Sequence, residues 1–165
     1  MRSLMPENSK KMTNLRQIAR PQVVVLAYDG LCTFEFGVAV EIFGLPRPEL
    51  GDEWYRFAVA SVDSGELRAT GGIRIVTDGD LSLLASADLI VVPGWRGIDS
   101  PVPDALCEAL RQASARECQL LSICSGVFVL AATGLLNGRK ATTHWRYIDA
   151  PFFSTGAMER AADST

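Results

Sequence analysis

Histidine is the scarcest chemistry-bearing residue in this 165-residue chain, which has one, His144. With no HExxH pattern and no paired CxxC spacing, a metal centre would need ligands gathered from scattered residues, so none is expected. Cofactor fingerprints are lacking as well. Ala69-Thr70-Gly71-Gly72 fits neither a P-loop nor GxGxxG, and reads as a turn; no cofactor is expected. Long apolar runs are absent: nothing approaches the roughly 20 residues of a spanning helix, and the N-terminus has no apolar signal core. The expected location is the cytoplasm, away from any membrane. Charge of one sign is not in large excess either, with 16 Lys and Arg against 19 Asp and Glu and a net charge of -3. Such a balance gives the whole chain no electrostatic reason to bind nucleic acid.

What is present is apolar. A hydrophobic content of 48% over this length is enough for one compact domain with a real core. Residues 1–20 are polar and basic without an apolar face, and read as a disordered lead. From Pro21 the chain alternates. "QVVVLAYDG", "YRFAVASVDS", "ADLIVVPGW" and "QLLSIC" read as strands, the first and third as buried runs closed by turn signals. "TFEFGVAVEIFGL", with Thr33 as N-cap, the segment around "DALCEALRQASA", and "SGVFVLAATGLL", stopping at Asn137-Gly138, read as helices. "LRATGGIRIVTDG" reads as a hairpin turning at Gly71-Gly72 and giving the sheet a mixed edge. Alternation of this kind predicts a doubly wound, mostly parallel sheet with helices on both faces.

Ligands in such sheets bind beyond the carboxyl ends of the strands. Three exits therefore matter: Asp29-Gly30 leading to Glu35, Pro93-Gly94-Trp95-Arg96, and Ile123-Cys124-Ser125. A tight turn at the last would lift the Cys124 sulfur over the sheet, where the following helix N-terminus favours a thiolate. Of the four cysteines, Cys32, Cys107 and Cys118 read as small buried hydrophobes and Cys124 as the functional thiol; all four are expected to be free. Glu35 sits between Phe34 and Phe36, either partly buried or on a solvated helix face. Trp95 and Arg96 either line the pocket mouth, with Arg96 meeting an anionic group, or cover the sheet end.

Residues 21–149, through "VVVLAYDGLCTFEFG", "ATGG", "VVPGWRGID" and "SICSGVFVLAATGLLNGRKATTHW", resemble the N-terminal domain of AraC-type transcriptional regulators of the GlxA/FtrA kind. That domain is a ThiJ/PfpI, class I glutamine-amidotransferase-like module. The resemblance implies a flavodoxin-like fold with Cys124 on a nucleophile elbow, Glu35 as its acidic partner and His144 as the histidine beyond the next helix. His144 alternatively only hydrogen-bonds within the strand "ATTHW". On the physical reading, a protonated Glu35 would donate to the thiolate, and the Ser125 and Trp95 N–H groups, beside Gly94, would form an oxyanion hole. The implied function is effector sensing and dimerisation: a small-molecule effector and a second copy are the expected partners. DNA is expected to be reached only through a helix-turn-helix domain that the chain lacks. The alternative is a cysteine-dependent hydrolase, amidase-like or hydratase-like, of the same superfamily. Residues 150–165, "APFFSTGAMERAADST" with Ala150 at its head, leave the pattern. The family's C-terminal strands and covering helix are thus expected to be missing, leaving apolar sheet surface facing water.

Overall fold

A computed structural model describes residues 20–51, 54–144, 147 and 159–160. Most of the expected lead and tail, and Trp145 of "ATTHW", lie outside the described residues. Four parallel strands form the main sheet in the order β2-β1-β5-β6. They are β1 (Gln22–Ala27), β2 (Arg56–Ser61), β5 (Leu89–Pro93) and β6 (Gln119–Ile123). β1 and β5 are central because both their faces are apolar. Val23, Val24, Val25, Leu26, Ile90, Val91 and Val92 are all fully buried. Their register is fixed pair by pair, Val24 beside Ile90 on one side of β1 and beside Ala58 on the other.

Alternate residues of these strands serve opposite faces. Val23, Val25 and Val91 pack with Phe36 and Ala39 of α1 (Thr33–Ala39). Val24, Leu26, Ile90 and Val92 meet Leu106 and Leu110 of α2 (Asp104–Ala115) and Val129 and Leu130 of α3 (Val127–Ala132). Helices on both faces of a parallel sheet make this the doubly wound fold that the alternation predicts, of the flavodoxin-like kind that the resemblance implies.

The hairpin departs from expectation. β3 (Leu67–Arg68) and β4 (Arg74–Ile75) pair antiparallel around Gly71 and Gly72, but as a separate two-stranded sheet and not as a mixed edge. The ribbon is held by the β1 exit: the Arg68 N–H donates to Asp29 Oδ1 at 3.0 Å, and the Gly30 N–H donates to the Arg68 carbonyl at 2.8 Å. Thr33 is not the N-cap of α1. Cys32 takes that place, while the Thr33 hydroxyl donates to the Thr70 carbonyl at 2.7 Å. The expected single helix also changes pitch, widening into a π turn over Val40–Gly44. α3 stops before Asn137-Gly138, because Thr133 accepts the Leu135 N–H and Gly134 takes a φ of 77°.

β6 is the outer strand on its side, and its face is only partly covered. Leu121 is 39% exposed beside a groove lined by Leu120, Leu130, Leu135 and Leu136. The expected "ATTHW" strand is not formed: of its described residues only Ala141 is in a strand, in β7 (Lys140–Ala141), which pairs in parallel with β8 (Glu159–Arg160), and Thr142, Thr143 and His144 lie outside it.

Candidate functional site

The three strand exits meet at one point. Gly94, at the end of β5, has a φ of 73°, a backbone conformation that disfavours side chains. A Cβ there would lie 3.3 Å from the Tyr28 hydroxyl, 3.7 Å from Ser125 Oγ and 3.9 Å from the Cys32 Cβ. Gly94 is thus the floor on which residues from β1, α1 and the β6 exit converge. Gly126 is constrained more tightly, since a Cβ would overlap the Val92 carbonyl oxygen. Its lack of a side chain lets the turn after β6 press onto β5.

That turn holds Cys124 at a φ of 53°, in the left-handed region where a residue other than glycine costs about 1–3 kcal/mol. The surroundings hold it there. Ser125 Oγ accepts the Trp95 N–H at 2.9 Å and donates to the Trp95 carbonyl at 3.3 Å. Thr143 Oγ donates to the Cys124 carbonyl at 3.3 Å, which brings the segment before His144 against the turn. His144 itself is exposed, with its ring 6.2 Å from that of Tyr147.

Glu35 lies in the first turn of α1, directly after the capping Cys32 and its neighbours. Its carboxyl raises the Cys124 and Cys32 thiols alike. Glu35 Oε2 is nevertheless buried without a closed hydrogen bond of its own. Burial pushes the Cys124 thiol above its ordinary range, the Ser125 N–H pulls it back, and Glu35 raises it further. Cys32 is raised by burial first and by Glu35 next. Burial also raises Tyr28 strongly, with the charges of Cys32 and Glu35 adding to the effect. The expected resting thiolate at Cys124 is therefore disfavoured. The helix that was to stabilise it, α3, has only six residues and begins after a tight turn at Cys124–Gly126.

The other expected pocket residues are engaged within the protein. The Trp95 N–H, expected in an oxyanion hole, is donated to Ser125 Oγ. Trp95 is only 6% exposed, and its indole N–H donates to the Ser100 carbonyl at 3.2 Å, so it is a wall of the site and not its mouth. Arg96 stacks over Tyr28 and Trp95, donates to the Asp29 carbonyl at 3.1 Å and pairs with Asp63. Its fork is turned toward the protein. Asp63 also accepts the Asp29 N–H at 2.8 Å, so Arg96 and Asp63 together join the exits of β1, β2 and β5.

Sequence reasoning missed Cys32, Tyr28 and Asp63. Each lies just past a strand end, which was the available signal, but an apolar or acidic residue there has no distinctive spacing. Cys107 is 4% exposed, the small hydrophobe expected, whereas Cys32 and Cys118 are only half-buried; all four thiols are free. Among the described residues no group of three or more His, Cys, Asp or Glu could hold a metal ion. No helix among them is long and apolar enough to cross a membrane.

Comparison with known proteins agrees with the fold. The chain is 41% identical over 97 residues to the HTH-type transcriptional regulator CdhR of Pseudomonas aeruginosa, covering 58% of this chain and 29% of CdhR. It is 30% identical over 151 residues to the HTH-type transcriptional regulator GbdR of the same species, covering 90% of this chain and 40% of GbdR. The chain thus spans less than half the length of either regulator. A solved putative transcriptional regulator from Vibrio parahaemolyticus superposes with a TM-score of 0.74 at 21% identity, over 87% of this chain and 77% of that one. The sequence pattern of the DJ-1/PfpI family matches residues 21–160, and the chain belongs to that family.

Proposed function

We propose that this domain is the effector-sensing and dimerisation part of an AraC-type transcriptional regulator. In this reading Cys124 occupies a nucleophile elbow that faces the effector, and Glu35 is its acidic partner. One observation carries the reading: three strand exits bring a strained cysteine and a buried carboxyl oxygen with no closed hydrogen bond to one point, in a chain whose relatives are HTH-type regulators. A buried acceptor of that kind calls for a donor, because leaving it unmade costs about 1–3 kcal/mol. The effector class is accordingly a small polar molecule that presents an N–H or O–H to Glu35. A raised Cys124 thiol suits reversible contact better than rapid attack, which favours sensing over turnover. Contact with DNA belongs to a separate helix-turn-helix domain in the cytoplasm, since a net charge of -3 gives this chain no overall attraction to phosphate.

The test is a thermal-shift screen of small amines, amides and alcohols, followed by calorimetry and product analysis. Saturable binding that is lost in Glu35→Ala, with no product formed, is the expected outcome. Turnover of an amide or nitrile that disappears in Cys124→Ser would replace the sensor with an amidase-like or hydratase-like enzyme.

A further inference from the structure

We infer that the outer edge of β6 is a docking strand for an extended, acidic segment of a partner protein, which pairs with it and prolongs the sheet. β6 ends the strand order. The Gln119 N–H donates to the Asp88 carbonyl at 2.9 Å and the Gly94 N–H to the Ile123 carbonyl at 3.0 Å, so Gln119 and Ile123 face β5. Backbone groups alternate between the two sides of a strand, which turns the N–H and carbonyl of Leu120 and Ser122 outward. Among the described residues no strand or loop pairs with them. The open row is bounded above, where the Cys124 carbonyl accepts the Thr143 hydroxyl at 3.3 Å.

The opposite edge of the sheet is closed. On β2 the Ser61 N–H donates to the Gly79 carbonyl at 2.7 Å, the Asp78 N–H donates to the Val59 carbonyl at 2.9 Å, and the Asp78 carboxylate accepts the Val59 N–H at 2.7 Å. β6 has no such cover, and its sequence, Gln-Leu-Leu-Ser-Ile, contains no Lys or Pro to guard an edge. What surrounds it sets the chemistry of the occupant. Leu120 lies with Leu130 and Leu136 on one face of the sheet, Leu121 is 39% exposed, and the groove beside them has a volume of about 640 Å³. An extended peptide meets both needs, because its backbone supplies the missing hydrogen bonds while alternate apolar side chains enter the leucine groove. An apolar small molecule would leave the Leu120 and Ser122 groups unpaired. Arg139, exposed at the groove margin, joins none of the ion pairs among the described residues, so an acidic residue in the incoming strand has a waiting partner. A second copy of β6 brings no carboxylate, which favours a different chain over self-pairing.

The test titrates the chain with a fluorescein-labelled peptide of alternating Val and Thr flanked by Glu, and with the same peptide flanked by Lys. Saturable binding of the Glu peptide is expected, with amide hydrogen exchange of Leu120 and Ser122, read by NMR, slowed when it is added. Arg139→Glu should weaken the Glu peptide about five-fold or more and strengthen the Lys peptide, whereas a merely structural role for Arg139 would weaken both. Ser122→Pro removes an outward N–H without touching the β5 ladder and should abolish binding. No saturable binding of the Glu peptide to wild-type protein, or protection that falls elsewhere than on β6, overturns the inference. So does protection of Leu120 and Ser122 without peptide: if it grows with protein concentration a second copy holds the edge, and if it is constant the chain covers its own edge.

Discussion

Glu35 is the residue on which the local electrostatics turn, because it pushes two thiols, Cys32 and Cys124, upward. A thiol whose folded pKa is raised holds its proton longer in the native state than in the unfolded chain. Between the two values the folded state therefore binds more protons, and stability falls as pH rises. All four cysteines are shifted upward, each with burial as the leading cause, and Tyr28 is shifted the same way. The thiol contribution should be fully present below the unfolded thiol pKa of about 8.5 and disappear progressively above it. Urea midpoints measured across neutral to alkaline pH should show that decline. Replacing Glu35 by Gln removes a charge that opposes the Cys124 thiolate, so iodoacetamide labelling of Cys124 near neutral pH should speed up. Unchanged labelling would mean that Glu35 does not act on this sulfur.

At the scale of elements, the exits of β1, β2 and β5 are tied by one ion pair, Arg96 with Asp63, and by the Arg96 stack on Tyr28 and Trp95. The pair is 28% exposed on each side, so solvent screens it in part. Arg96→Ala should cost about 1–2 kcal/mol from the stack and the ion pair together, read from urea midpoints. A double-mutant cycle with Asp63→Ala should return a coupling of about 0.5 kcal/mol or more, and additive losses would show that the exits are held independently. The buried strands and the exits were legible in the sequence, because an apolar run ended by Gly or Pro has few other readings. The partners of Arg96 and the second thiol were not. Asp63 and Cys32 gain their roles from contacts across 33 residues in one case and from a shared carboxyl in the other, and neither leaves a periodic trace. Helix ends were misjudged for a related reason: Thr133 bonding back to the Leu130 carbonyl at 2.6 Å ends α3 before the Asn-Gly signal. Gly126 is the opposite case. Its need to lack a side chain depends wholly on the Val92 carbonyl lying against it.

For the whole molecule, the proposed second copy needs an apolar surface, and there are two candidates. One is the outer face of α1 and the π turn that continues it, where Phe34, Val38 and Ile42 recur at four-residue spacing, with Phe34 76% and Ile42 47% exposed. The other is the groove beside β6, where Leu121 is 39% exposed but Ser114, Gln119 and Arg139 add polar groups to the lining. The α1 face is the better self-complementary surface. Only Thr33 and Glu41 interrupt it, and a Cβ at Gly37 would meet nothing within 4 Å, so a partner side chain can seat there. A two-fold contact would place the same stripe on both copies, so a charge introduced once is buried twice. Phe34→Glu should therefore weaken dimerisation by at least ~30-fold, equivalent to about 2 kcal/mol at a central aromatic anchor, while Leu121→Lys should leave it unchanged. Sedimentation equilibrium across a wide concentration range distinguishes these outcomes, with circular dichroism checking that both variants keep their fold. If Leu121→Lys yields monomers and Phe34→Glu does not, the dimer is built on the β6 edge. If wild-type protein remains monomeric at every concentration, neither face is a self-association surface.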